Sequence, residues 1–527
     1  MPRTPTRRQF LKATIASAGF GALSAGAPSG EAATSPAPAL TVAAAPTPAR
    51  KGGTLRFGSA ADFTGFDPTN FGTFQDWIPT FYDTLIREDA QLQPHPELAE
   101  SWELSRDGLT FTARLRKGVT FHNGRELEAK DVVYSVKRTA DPKTAANIRG
   151  MLAPIKGAEA RDKYTVELKF EKPYPALFDA LDLLFIHPEE AGDNIKTKPV
   201  GTGPFLLEQW TPGSKVTLKR HPNYWRPGAP SLDVIDIQIL PDSQARMVAL
   251  EAGTEDAIDR PAYIDMARLH DDKRYQLIAA GMGSTMLTVY FNVTRAPFDN
   301  KKVRQAFSYS LNRPRITQNY TRGFSRPQCL PWRKEVFAFQ PDLEGTCKFD
   351  LDKAKQLLAE AGFASGLEVP INVSTEGYSP GSKVAAEILQ ADIAKIGVKL
   401  NIAYYEAAAA RQRLTTGDFQ VAAHGYGRAH RDPATLFGGA LPFYNKSQIT
   451  KFESAEYGKL IEEGASTTEM EKRKAIYKRL TEIIADEAFV LSVCPLPRTY
   501  AIRATVEGMD VTLEGMMDLR SVSLRSG

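Results

Sequence analysis

Two periodicities alternate along residues 288–316, TVYFNVTRAPFDNKKVRQAFSYSLNRPRI. Residues 288–292 are mostly β-branched or aromatic and predict a strand. Pro297 breaks it, and Asp299 or Asn300 can cap a helix. Val303, Ala306, Phe307, Ser310 and Leu311 then fall at i, i+3, i+4, i+7 and i+8, one face of that helix. The same grammar recurs downstream. Leu351, Ala354, Leu357, Leu358 and Ala361 form an apolar stripe, with Gly362 where a C-cap is wanted. Residues 369–373 alternate as a strand, 383–396 form an amphipathic helix ended by Gly397, and Val398, Leu400 and Ile402 alternate again. Strand, helix, strand implies a parallel pair with a right-handed crossover, so this part of the chain is α/β.

Upstream the pattern is richer in strands. Leu55 and Phe57 alternate within G-G-T-L-R-F-G (52–58). The glycine pair there lacks a following G-K-[ST], which excludes a phosphate loop. Asp107-Gly108 and Asn123-Gly124 are turn dipeptides flanked by alternating segments, and 129–138 predicts a helix. The glycines of Gly201-Thr202-Gly203-Pro204-Phe205 read as tight turns, with Trp225 of Asn223-Tyr224-Trp225 packing a sheet edge. No internal repeat is evident.

Length changes the picture: 527 residues imply two or three domains rather than one core. No apolar run of about 18 residues predicts a membrane span. The formal charge of +4 comes largely from the first 32 residues, which hold Arg3, Arg7, Arg8 and Lys12 against Glu31; the remainder has 62 basic and 61 acidic side chains. Without a concentrated basic run, nucleic acid is not an expected partner. Thr6-Arg7-Arg8-Gln9-Phe10-Leu11-Lys12 and the weakly apolar 13–27 are similar to a twin-arginine export signal, with cleavage near Ala32. No Cys follows, which argues against a lipid anchor. Residues 33–50, rich in Ala, Pro and Thr, predict a disordered linker.

Candidate chemistry is sparse. There is no G-x-S-x-G, no dinucleotide fingerprint, no haem-attachment C-x-x-C-H and no Ser–Lys signature. No C-x-x-C or H-E-x-x-H supports zinc. An enzyme is therefore the weaker alternative and no cofactor is expected. Cys329, Cys347 and Cys494 allow one bridge and one thiol. Cys329 and Cys347 flank one loop and are expected to pair, leaving Cys494 reduced.

Several of these segments share wording with one family. Y-F-N…P-F-D-N-x-x-V-R-Q-A-F (290–307) resembles the entry into the third domain of the family 5 extracytoplasmic solute-binding proteins, the oligopeptide, dipeptide, nickel and opine receptors of ABC importers. So do P-x-L-A-E-S-W-E (96–103), D-G-L-T-F (107–111), L-R-x-G-V (115–119), A-K-D-V (129–132), G-T-G-P-F (201–205) and the L-E-A-G-T-E-D-A segment at 250–257. The resemblance implies an α/β fold of the periplasmic-binding-protein type II class (cluster C), with two lobes built from three domains and joined by a two-strand hinge. Domain I would comprise 51–84, 191–285 and 491–527; domain II, 85–190; domain III, 286–490. The hinge strands would lie near 286–292 and 490–498. It further implies a monomeric periplasmic receptor that closes on a small solute and is read by permease transmembrane subunits.

For ligand contact the resemblance points to Phe66, Tyr290 and Asn292, and to H-G-Y-G-R-A-H-R-D-P (424–433). Free-peptide receptors of this family carry W-x-x-D-Y-x-[DE]-P there, the first aspartate holding the peptide's ammonium. Counted back from Pro433, Asp432 matches the second acidic position, Tyr426 replaces the tryptophan, and Ala429 replaces the ammonium-binding aspartate. Arg428 and Arg431 flank it, and arginine suits carboxylates. The expected solute is thus peptide-like, opine-like or carboxylate-bearing, without a required free amino terminus. His424 and His430 leave a chelated-metal receptor as an alternative.

Overall fold

The computed structural model describes residues 52–70, 72–375 and 379–525, within one compact unit, Pro46–Gly527. The expected signal peptide and linker lie outside the described residues.

Three larger sheets carry the architecture. The first has seven strands, in the order Tyr275–Ala280, Arg498–Arg503, Ala257–Asp259, Thr54–Ser59, Val234–Ile239, Lys215–Arg220 and Phe205–Thr211. Thr54–Ser59 runs parallel to both neighbours. Its alternating Leu55 and Phe57 are fully buried, as the pattern demands. The second sheet is antiparallel: Ala99–Leu104, Thr110–Leu115, Thr165–Phe170 and Ile155–Ala160. Phe111, Ala113, Leu115, Val166 and Leu168 form its inner face and share one apolar core with the first sheet. Asp107-Gly108 makes the expected turn, with Gly108 at φ 72°.

The third sheet has five strands: Val398–Tyr405, Leu367–Ser374, Val421–Tyr426, Met286–Phe291 and Val490–Pro495. Leu367–Ser374 and Val398–Tyr405 pair in parallel around helix Ser382–Ile393. Helix Lys301–Ser310 is capped by Asn300, whose side chain accepts from the Lys302 amide at 2.9 Å, and it buries Val303, Ala306 and Phe307. Helix Leu351–Glu360 is capped the same way by Asp350 and buries Ala354, Leu357 and Leu358.

The chain crosses between the first and third sheets twice, at 281–285 and at 496–497. On one side Tyr275–Ala280 pairs with Arg498–Arg503; on the other Met286–Phe291 pairs with Val490–Pro495. The third sheet thus extends five residues beyond the expected boundary at 490, because 490–495 keeps its ladder with 286–290. Gly281 sits at φ 66°, and a Cβ there would stand 2.7 Å from the Glu514 carbonyl oxygen.

The G-T-G-P-F segment corrects its sequence reading. Neither Gly201 nor Gly203 adopts positive φ. A Cβ on Gly201 would lie 2.0 Å from Phe81 O, and one on Gly203 2.4 Å from Phe81 C. These glycines let two backbones touch, rather than turn. Thr202 Oγ1 and Trp225 Nε1 donate to the buried Asp83 carboxylate at 3.0 and 2.9 Å, while Arg116 and Arg226 cover the Trp225 ring. Asp256 grips Arg56 through two side-chain bonds of 2.9 and 2.6 Å.

Candidate ligand-binding site

Strand Val421–Tyr426 lies third in the five-stranded sheet, so both its edges are paired. Val421 and Ala423 face one apolar core; Ala422 and Tyr426 face another, with Met286 and Tyr290 of the neighbouring strand. Tyr290 Oη donates to Gly425 O at 2.6 Å. Tyr426 packs edge-on against Phe443 at 4.8 Å between centroids, and its hydroxyl meets Ser492 Oγ at 3.2 Å. His424 Nδ1 lies 3.1 Å from Ser374 Oγ. Burial pushes this imidazole down to about 4, so it is neutral at pH 7. With Asn372, Tyr405 and Leu414 it lines a small, partly enclosed pocket of about 10 Å³.

Beyond Tyr426 the chain forms a loop, 427–432, and enters helix Pro433–Gly439. Asp432 is the cap of that helix, accepting from the Ala434 amide at 2.9 Å, with proline following at the first helical position. Arg473, from helix Met470–Glu487, grips the same carboxylate with bonds of 2.9 and 2.6 Å. Ala429 is fully buried; its amide donates to Gly283 O at 3.0 Å, and its carbonyl accepts from the Arg333 amide at 3.2 Å. Arg428 takes positive φ, 77°, and directs Nη1 to Glu514 Oε1 at 2.8 Å.

Arg431 is the centre of the region. Its side chain is 0% exposed. Nε meets Glu514 Oε1 at 2.9 Å, Nη1 meets Glu88 Oε2 at 3.1 Å, and Nη2 meets Asp182 Oδ2 at 2.8 Å. Asp179 Oδ1 lies 3.6 Å from Nη1. A buried guanidinium without such partners would cost several kcal/mol, about the effective penalty for an unpaired buried ion. The partners come from distant segments: strand Ile86–Glu88, helix Leu177–Leu183 and the C-terminal stretch.

The protonation states are set by this packing. Burial opposes ionisation of Glu514, yet neighbouring positive charge holds it well below the usual carboxylate range. Burial lowers His430 against the pull of the adjacent Glu514, and Arg431 and Arg333 add to the lowering. The imidazole is therefore neutral, and Glu514 owes its charge to Arg431 and Arg428. Burial, and then repulsion from Asp179, lift Glu88 to about 11; burial lifts Asp179 to about 6 against the pull of Arg431. Glu88 and Asp179 behave as a proton-sharing pair at pH 7. His430 is fully buried, and neither ring nitrogen makes a hydrogen bond; Nε2 stands 3.5 Å from Glu514 Oε1.

The structure brings Arg428, Ala429 and Asp432 together at this contact, and Tyr290, His424 and Tyr426 onto one sheet face. Asn292 is buried at the far end of its strand, donating to Gly417 O at 2.8 Å. Phe66 packs in the core of the first sheet, against Phe81 and Trp210 at 5.5 and 5.2 Å. Cys329 and Cys347 are bonded, with Cα atoms 5.8 Å apart, and Cys494 is a buried free thiol. Sequence reasoning missed Glu88, Asp179, Asp182 and Glu514. One signal was present: L-F-D-A-L-D-L-L-F (177–185) sets two aspartates three apart in an otherwise apolar helix.

Comparison with known proteins gives the lineage. The profile described as bacterial extracellular solute-binding proteins, family 5 Middle, matches residues 93–448. Heme-binding protein A of Haemophilus influenzae is 33% identical over 425 residues, covering 75% of this chain and 77% of that protein. The dipeptide-binding protein of Escherichia coli is 30% identical over 511 residues, covering 89% and 94%. Among solved structures, the periplasmic binding protein AgaA of A. tumefaciens in complex with agropinic acid superposes with a TM-score of 0.78 at 26% identity, covering 90% of this chain and 99% of that one. No described helix is long and apolar enough to cross a membrane. Fold, matched span and relatives agree: the chain belongs to the bacterial extracellular solute-binding proteins of family 5, the solute-capturing components of ABC importers.

Proposed function

We propose that this receptor takes a peptide-like, opine-like or carboxylate-bearing solute without a required free ammonium. It captures the solute between its lobes near 424–433 and hands it to the transmembrane subunits of its importer. Solute that touches both lobes only when they are closed shifts the equilibrium toward the form a permease reads. The observation that carries the ligand class is Ala429, a fully buried methyl group where the peptide receptors' ammonium-binding aspartate would stand. An ammonium placed there would find no carboxylate at 429, and guanidiniums on either side in sequence. Arg428 spends Nη1 on Glu514 but keeps its side chain 14% exposed, so it is the residue for a solute carboxylate. Tyr426, His424, Tyr290 and Asp432 support the site, whereas Phe66 and Asn292 are committed to packing elsewhere, against Phe81 and Trp210 and to the Gly417 carbonyl.

Relatives named for dipeptides and a structural neighbour holding agropinic acid support this class. Calorimetry against dipeptides, their N-acetylated forms and opines tests it. Retained binding after N-acetylation is expected. Tight binding of free dipeptides that N-acetylation abolishes sinks the reading. Residues 1–32 act as a twin-arginine signal and the mature protein works as a periplasmic monomer. Replacing Arg7 and Arg8 together by Lys should hold the precursor in the cytoplasm; normal periplasmic arrival would contradict the export route.

A further inference from the structure

We infer that Arg431 is a resident cation of the cleft: it fills a four-carboxylate socket, formed by Glu88, Asp179, Asp182 and Glu514, that would otherwise hold a guanidinium or ammonium group of a solute, and so it sets specificity against solutes carrying a cation at that place. The location of the cleft rests on the function proposed above; the socket itself does not.

Three observations carry the inference. First, each nitrogen of the guanidinium has its own carboxyl oxygen. Nε, Nη1 and Nη2 meet Glu514, Glu88 and Asp182 at 2.9, 3.1 and 2.8 Å. That is the recognition pattern for a planar cation, supplied here in cis. Second, the socket is held by bonds that do not involve Arg431. Asp182 Oδ1 accepts from the Glu88 amide at 3.1 Å, Asp179 Oδ2 accepts from the Asp432 amide at 2.9 Å, and Glu514 Oε1 accepts from Arg428 at 2.8 Å. Shortening residue 431 therefore leaves Asp182, Asp179 and Glu514 their other bonds. Third, His430 packs beside the socket, wholly buried, with Nε2 3.5 Å from Glu514 Oε1 and no hydrogen bond at Nδ1. A neutral imidazole there gives a polar but uncharged group of the solute something to bond. Acidic partners facing the guanidinium come from the strand, the helix and the C-terminal segment; the basic groups nearby are Arg428, Arg333 and Arg87.

Chemical rescue tests this on the mature full-length protein without knowledge of the natural solute. The variant Arg431→Ala is melted in millimolar guanidinium chloride and in matched sodium chloride. Saturable stabilisation by guanidinium is expected in the variant, and none in the wild type or in Arg431→Lys. Adding Asp182→Asn to the variant should weaken that guanidinium response by about tenfold in Kd, since one charge-assisted bond is lost. A folded Arg431→Ala that shows no preference for guanidinium overturns the inference, as does an equal response from the wild type. Should the variant not fold alone, recovery of folded protein on refolding with guanidinium supports the socket, and failure to recover rejects it. None of these outcomes depends on the dipeptide calorimetry, so the two readings can fail separately.

Discussion

Arg431 Nη2 lies 2.8 Å from Asp182 Oδ2, although 249 residues separate the two along the chain. Arg431 leaves the five-stranded sheet, whereas Asp182 is on the helix that comes after the four-stranded sheet. The pair therefore ties together parts of the molecule that share no backbone ladder. The same contact includes the Arg333 guanidinium donating to Ala90 O at 2.7 Å, and Gly150, where a Cβ would sit 2.7 Å from Gly438 O.

Glu88 gives this contact a pH signature. Its folded value, about 11, lies above the ordinary 4.5. The folded state therefore binds the extra proton. That contribution to stability is full below about 4.5 and drains away as pH rises toward 11. Glu514 has the opposite sign: held low, it contributes above its ordinary value and is lost in acid. Glu88→Gln keeps an acceptor for Arg431 without needing a proton. It should exceed the wild type in stability at pH 9 and match it near pH 4, because only the wild type loses stability as pH rises between them. Urea midpoints at both pH values are the check; a wild type more stable at pH 9 contradicts it.

Asp432 holds a helix cap and a buried arginine at once. Asp432→Ala loses the cap, worth about 1 kcal/mol. It also leaves Arg473, only 5% exposed, without its carboxylate, at a cost of about 3 kcal/mol. Asp432→Asn retains the cap and should lose less. Equilibrium unfolding of both variants decides. Equal losses would show that the ion pair, not the cap, dominates.

Gly203→Ala is expected to destabilise by about 2 kcal/mol or more, because the new methyl meets the backbone of Phe81 and Tyr82 at 2.4–2.8 Å and backbone cannot rotate away. A melting temperature equal to the wild type's would mean that the 81–82 segment shifts freely.

The Cys329–Cys347 bridge spans 18 residues. Cross-linking such a loop stabilises by about 3 kcal/mol in the chain-entropy description. Replacing both cysteines by serine should lower unfolding free energy by about that amount while Cys494, buried in the core, stays unreactive to thiol reagents in the native protein. Rapid native labelling of Cys494 would contradict the burial.

The local elements and the lineage were legible in the linear chain. Asn300 and Asp350 as caps, the buried stripe Val303–Ala306–Phe307, and the parallel pair around Ser382–Ile393 all come from spacing, since helix and strand periods are local properties of the backbone. What Gly201 and Gly203 are for, and what Arg431 touches, emerged only in three dimensions. Phe81 lies 120 residues from Gly201, and Glu88 lies 343 from Arg431. No periodicity spans such distances. Nor could the sequence tell a solvated arginine from a buried one, because the side chain is the same in both cases. Its character is set by which carboxylates the folded chain places around it and by the water their packing removes.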